Sequence, residues 1–183
     1  MTEEDITRVI QVFNDVGARW ALVGAHATGM LTTPRATADF DFIVEERKLP
    51  AVLNALREAF GDLGEQDIGA AVRLTSIDVD LIRSGNHPLF TKAIDHVRTR
   101  EHWFVPRAEV IIVLKYLSAV SPWRNRAKRA YDVGDLRMIY ATVGRDQLDL
   151  ELMKDLSALV YPGAEQEFME LLERIDRGEP IEI

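Results

Sequence analysis

Ala38-Asp39-Phe40-Asp41-Phe42-Ile43-Val44 is the stretch on which the reading of this chain turns. Side chains on a strand alternate between its faces, so Phe40, Phe42 and Val44 share one side while Asp39 and Asp41 share the other. The apolar side packs into a core. The acidic side sets two like charges roughly 7 Å apart at Cα, and these repel unless a cation or solvent stands between them. Alone, the pair is compatible with a metal site, a phosphatase nucleophile or a solvated sheet face.

The segments on either side narrow the choice. Upstream, Trp20-Ala21-Leu22-Val23 reads as a short strand that stops at Gly24-Ala25 and leads into a short helix through His26-Ala27-Thr28-Gly29. Such a turn aims backbone N–H groups at whatever sits above the strand end, which suits a phosphate, although glycine there also serves backbone conformation alone. Downstream, Pro50 fits the first turn of a helix running to about Phe60, and Gly61 to Gly69 reads as a loop. Val72 to Ile82 then reads as one β-rich segment, with Asp78 and Asp80 on the face opposite Ile77, Val79 and Leu81. If this strand lies beside the first with matching faces, three or four carboxylates meet. Such a patch calls for raised carboxyl pKa values or a bound hard cation such as Mg²⁺.

The flanking regions are helical in pattern. A helix from about Glu3 to Val16 has Thr2 and Asp5 at capping-box spacing and Ile6, Val9, Ile10, Phe13 and Val16 on one face. The C-terminal half begins with a helix from about Arg107 to Val120 that is apolar nearly all round and therefore buried, with Lys115 its one charge inside the apolar stretch. Lys115 either snorkels to water or reaches an anion. A helix from about Arg124 to Val143 opens with Arg124, Arg126, Lys128 and Arg129, a run that reads as a solvated face or a local phosphate site. On its apolar stripe stand Asp132 and Asp135, inward acids for which Lys115 is a reasonable partner. Two amphipathic segments follow, about Leu148 to Val160 and Ala164 to Arg177, with Gly178 as a stop.

Composition bounds the function classes. The chain has 183 residues, 47% of them apolar and 28% charged, enough for a substantial core. A net charge of −8 disfavours broad, non-specific adhesion to nucleic acid but leaves room for a local basic patch. The absence of cysteine excludes disulfide and thiolate chemistry and fits a reducing compartment. The N-terminus lacks a signal-peptide pattern and no apolar run approaches the ~18 residues of a membrane span, so the expected placement is cytoplasmic, without a membrane partner.

Together, Leu22-Val23-Gly24-Ala25-His26-Ala27, then Pro34-Arg35-Ala36-Thr37-Ala38-Asp39-Phe40-Asp41, then Val79-Asp80-Leu81-Ile82 resemble the core of the nucleotidyltransferases of the DNA polymerase β superfamily. Within it, the AbiEii-type, toxin–antitoxin-related branch is the most similar. The resemblance covers about residues 18 to 83, and Lys115 with Tyr131-Asp132-Val133-Gly134-Asp135-Leu136 extends it more loosely. It implies an α+β fold, a small mixed sheet with flanking helices over 1–105 and a helical region packed on it over 106–183.

The resemblance further implies Mg²⁺-dependent (or Mn²⁺-dependent) transfer of a nucleoside monophosphate from a nucleoside triphosphate to a hydroxyl of RNA, protein or a small molecule, with a cognate toxin or antitoxin as a further partner. Asp39, Asp41 and Asp80 are then the metal ligands. Gly24 and Ala25 offer amides to the outer phosphates, Lys115 neutralises them, and Arg35 or Thr37 orients the nucleotide. Asp80 is the general-base candidate and Asp132 its rival; Asp78 is a surface acid that shares Asp80's face. Two departures stand out. Ala25 replaces the family's frequent Gly or Ser, and Tyr131 replaces a Lys, so the basic partner of Asp132 comes from elsewhere, with Lys128 a candidate. Other classes that use an Asp-x-Asp strand are the haloacid dehalogenase phosphatases, which leave Gly24 unexplained, and glycosyltransferases, for whose larger nucleotide fold the chain has no room. A non-catalytic antitoxin-like or regulatory protein that keeps the fold is the alternative function.

Overall fold

Helix α1 (Glu3–Asp15) starts with the capping box expected from the sequence: the Asp5 amide donates to the Thr2 hydroxyl at 3.1 Å, and the Thr2 amide donates to the Asp5 carboxylate at 2.9 Å. Its buried face is Ile6, Val9, Ile10 and Phe13, and Val16 is the C-cap rather than a helical residue. The computed structural model describes residues 2–181 and contains two compact units: Met1–Gly29 with Pro34–Pro106, and Met30–Thr33 with Arg107–Ile183.

In the first unit, β1 (Trp20–Val23) leads directly into α2 (Gly24–Gly29), and the acidic strand is β2 (Phe40–Val44). After α3 (Leu49–Phe60) come β3 (Glu65–Asp67), β4 (Ala71–Leu74), β5 (Val79–Arg83), α4 (Pro88–Asp95), β6 (Val97–Arg100) and β7 (Trp103–Pro106). The main sheet has the order β1-β2-β5-β4-β3; β2 and β5 run parallel and the other pairs antiparallel, while β6 and β7 form a separate antiparallel pair. The architecture is thus α+β, a mixed sheet with flanking helices. Phe13, Trp20 and Phe42 form an aromatic core with centroids 5.1 to 5.7 Å apart, and Phe104 of β7 packs on Trp20 at 4.9 Å.

Three local expectations change. The acidic strand begins at Phe40, so Asp39 precedes it; Phe42, Ile43 and Val44 are all buried, because a strand flanked by β1 and β5 and covered on both faces loses its alternation. The expected single strand from Val72 to Ile82 is a hairpin. The Ile77 amide donates to the Leu74 carbonyl at 3.3 Å, and Asp78 takes a positive φ of 50°, which a short polar side chain tolerates. Asp78 lies in that turn and does not share a strand face with Asp80. The intervening turn holds four residues, which shifts the apolar alternation by one position, from Val72 and Leu74 to Val79 and Leu81; Ile77 inside the turn already carries the second phase and masks the break. Finally, the expected Gly61–Gly69 loop contains edge strand β3, whose residues are all exposed: backbone pairing with β4 defines it, and no apolar pattern marks it.

The second unit holds α5 (Ala108–Val120), α6 (Arg126–Val143), α7 (Leu150–Ser157) and α8 (Ala164–Asp176). Helix α5 buries Val110, Ile111, Ile112, Val113, Tyr116 and Ala119, as its all-round apolar pattern requires, and packs against α6 and α7. Helix α6 starts two residues later than expected because the Asn125 side chain caps it, accepting from the Lys128 amide at 2.9 Å. Asp149 caps α7 in the same way. Among the described residues no helix is long and apolar enough to cross a membrane.

Candidate active site

The parallel pairing of β2 and β5 sets Asp41 directly beside Asp80 in register. Paired residues on neighbouring strands leave the sheet on the same face, so the two carboxylates stand side by side, about 4.8 Å apart at the backbone. Asp80 is buried, Asp41 half-buried and Asp39 exposed. The Thr37 hydroxyl donates to Asp39 at 3.1 Å, while Arg35 is exposed. Gly24, at the junction of β1 and α2, has a φ of 67° and lies against Asp41, leaving no room for a Cβ between them. Ala25 is buried beside it.

One residue of this site is missing from the sequence reading. Arg73 on β4 pairs in register with Asp80, and its guanidinium grips both carboxylate oxygens, Nε to Oδ1 at 2.9 Å and Nη2 to Oδ2 at 2.8 Å. This is a two-pronged, charge-assisted contact. The hydrogen bonds to Asp80 raise the Arg73 pKa further, and the charges of Asp39 and Asp41 add to that, so the guanidinium sits in the field of all three acids. Arg73 lies seven residues before Asp80, and only the unrecognised hairpin turn brings them together.

The expected three-carboxylate metal set is therefore only partly assembled. The hard oxygens of Asp39 and Asp41 suit a divalent cation. Asp80, beside them, faces a guanidinium, and among the described residues no three His, Asp or Glu side chains are grouped as a metal site.

His26 also borders this region. Its ring stacks on Phe40 at 3.7 Å with planes 4° apart, and Phe40 lies parallel to Trp103 at 6.0 Å. Among the described residues the buried His26 Nε2 has no hydrogen-bond partner. Burial pushes the imidazole pKa down, and the Asp39 charge opposes this only in part.

In the second unit, Lys115 is buried, and its ammonium donates to Asp135 at 2.6 Å and to Asp132 at 3.3 Å. The anion it reaches is this pair of inward acids on α6. The second cation on Asp132 is Arg124, which binds both of its oxygens; the exposed Lys128 is not a partner. Lys115 and Asp132, carried forward as phosphate-binding and base candidates, thus meet in an internal charge network, which buried ions need to persist. Of the basic run, Arg124 is committed to Asp132 and Arg129 donates to the Ala119 carbonyl at 2.6 Å. Arg126 and Lys128 are exposed, as is Trp123.

No family model and no curated protein matches the chain. Solved structures do. The solution structure of the antibiotic-resistance factor ANT(2'')-Ia aligns over 95% of this chain and 96% of its own, at 14% identity and a TM-score of 0.55. A crystal structure of ANT(2'')-Ia in complex with adenylyl-2''-tobramycin aligns over 86% and 95%, at 13% identity and 0.52. An antigenic nucleotidyltransferase-like protein from Paracoccidioides brasiliensis aligns over 94% and 91%, at 16% identity and 0.57. Likeness at these identities speaks to architecture. The chain has the nucleotidyltransferase fold.

Proposed function

We propose that this protein is a nucleotidyltransferase that moves a nucleoside monophosphate from a nucleoside triphosphate to an acceptor hydroxyl and releases pyrophosphate. The observation that carries the reading is the register of Asp41 with Asp80 on parallel strands, with Gly24 packed against Asp41 at the mouth of α2. The fold neighbours support it, since one of them was captured with an adenylylated small molecule.

Each residue has a proposed task. Asp39 and Asp41 hold Mg²⁺ or Mn²⁺, which would offset the charge of the triphosphate during displacement at the α-phosphate. The Gly24 and Ala25 amides meet the outer phosphates, and Arg35 and Thr37 orient the nucleotide. Asp80, which shares the sheet face of Asp41, would join Asp39 and Asp41 as a ligand of that cation and is the base candidate for the acceptor's proton, with Asp132 its rival. Lys115 would have to exchange one of its aspartates for a phosphate to act on the nucleotide. The acceptor classes are RNA, protein or a small molecule, and the AbiEii-type toxin–antitoxin branch is the proposed family placement.

The test is incubation with Mg²⁺, α-labelled nucleoside triphosphates and cell extract. A labelled acceptor should form with wild type and be absent with Asp39→Ala/Asp41→Ala. No label with wild type, or equal label with the double variant, refutes the reading. Ala25, where the resembled family often has Gly or Ser, and the closed Arg73–Asp80 pair favour a second reading, a partner-binding, antitoxin-like or regulatory protein without turnover. That reading requires a stable complex on pull-down that persists in the double aspartate variant.

A further inference from the structure

Arg73 is more than a structural ion pair. Its partner Asp80 is the acid set beside Asp41, yet both of its oxygens are engaged, at 2.9 and 2.8 Å. The side chain of Asp80 is 10% exposed, whereas that of Arg73 is 44% exposed. The carboxylate is thus fixed in the sheet, while the guanidinium reaches it from the solvent side and can move. A guanidinium binds phosphate by the same two-pronged geometry it uses for a carboxylate. A triphosphate carries more negative charge than one aspartate and offers Arg73 an equivalent partner.

We infer that Arg73 is a positioning residue that closes Asp80 to divalent cations in the resting protein and moves to the polyphosphate of an incoming nucleotide, freeing Asp80 to complete the acidic site. The resting protein then offers a cation one carboxylate fewer, beside the positive charge of Arg73. Nucleotide binding and completion of the cation site become one event, which keeps the acids from gathering a cation before a substrate is present. No bond is made or broken in this exchange; two ion pairs trade partners. The inference rests on the transfer reading, in which these acids meet a cation.

The experiment measures Mn²⁺ binding by electron paramagnetic resonance to wild type, Arg73→Met, Arg73→Lys and the double variant Arg73→Met/Asp80→Asn, without nucleotide. Arg73→Met should bind Mn²⁺ about tenfold more tightly than wild type, the scale of removing one nearby positive charge and releasing one carboxylate at a partly solvated site. Arg73→Lys should fall between. The double variant removes a neutral pair that contributes no ligand in the resting state, so its affinity should stay within about twofold of wild type. A saturating non-hydrolysable nucleoside triphosphate should then abolish the difference between wild type and Arg73→Met, whereas a merely structural ion pair leaves that difference in place. Unchanged or weaker binding in that variant overturns the inference, as does a large loss in the double variant. Should Arg73→Met not fold, the double variant, which leaves no unpaired charge, decides alone. Absence of Mn²⁺ binding in every protein while label transfer persists overturns the inference and spares the transfer reading; absence of label with the expected Mn²⁺ affinities does the reverse.

Discussion

Gly24 lies so close to Asp41 that a Cβ on the glycine would stand 2.0 Å from Oδ2 and 2.8 Å from Cγ of the carboxylate. The turn before α2 and the acid of β2 are therefore fitted to each other, and neither position is independent. Gly24→Ala must either displace Asp41 or shift the turn, and it also places an L side chain at a φ of 67°. The expected cost is roughly 1–3 kcal/mol in denaturant unfolding. Label transfer should fall at least tenfold; a variant that melts and transfers like wild type refutes this coupling.

Lys115 compensates two buried carboxylates at once. Lys115→Met removes the 2.6 Å ion pair to Asp135 and the 3.3 Å one to Asp132, while Arg124 still serves Asp132. The loss should be roughly 3–5 kcal/mol, the usual scale for breaking one side of a buried ionic cluster. Lys115→Met/Asp135→Leu removes a balanced pair, leaves Arg124 with Asp132, and should recover much of the stability. A double variant no more stable than the single one, by urea titration, contradicts this account.

His26 predicts a dependence on pH. Burial holds its folded-state pKa below the ordinary 6.5, so as pH falls the unfolded chain takes up this proton first. Its effect on stability is absent above about pH 6.5 and becomes a loss as pH drops toward the lower folded-state value. His26→Phe keeps a ring on Phe40 and cannot protonate. Its melting temperature should decline less than that of wild type between about pH 7 and pH 5; overlapping profiles exclude His26 as the source.

Glu109 predicts a second dependence, at lower pH. Burial pushes its carboxyl up, but the Arg107 guanidinium, at 2.8 and 3.3 Å, and the Asp149 amide, at 3.1 Å, outweigh burial and hold it below the ordinary 4.5. A lowered carboxyl stabilises the fold above its unfolded-state value and loses that contribution as pH falls through the folded-state value. Glu109→Gln should cost about 2 kcal/mol at neutral pH, the scale of hydrogen bonds to a charged group. It should also flatten the acid limb of the stability curve below about pH 4.5; an unchanged limb assigns the acid sensitivity to other groups.

The sequence by itself determined what depends on one element at a time. Apolar spacing marked α1 and the buried α5, Thr2 and Asp5 announced a capping box, and the acids of β2 and β5 stood out because charge on a strand that also packs a core demands a reason. Asp132 and Asp135 on an apolar stripe implied a cation, and Lys115 supplied it. Only the tertiary structure decided the pairings that depend on register and turns. Periodicity reports which side of a segment is apolar; Ile77 inside the turn continues the alternation of Val79 and Leu81 and masks the turn at Asp78, and edge strand β3, exposed throughout, carries no apolar pattern. With them was hidden Arg73, an ordinary exposed arginine in sequence, which the β4–β5 register turns into the partner of Asp80.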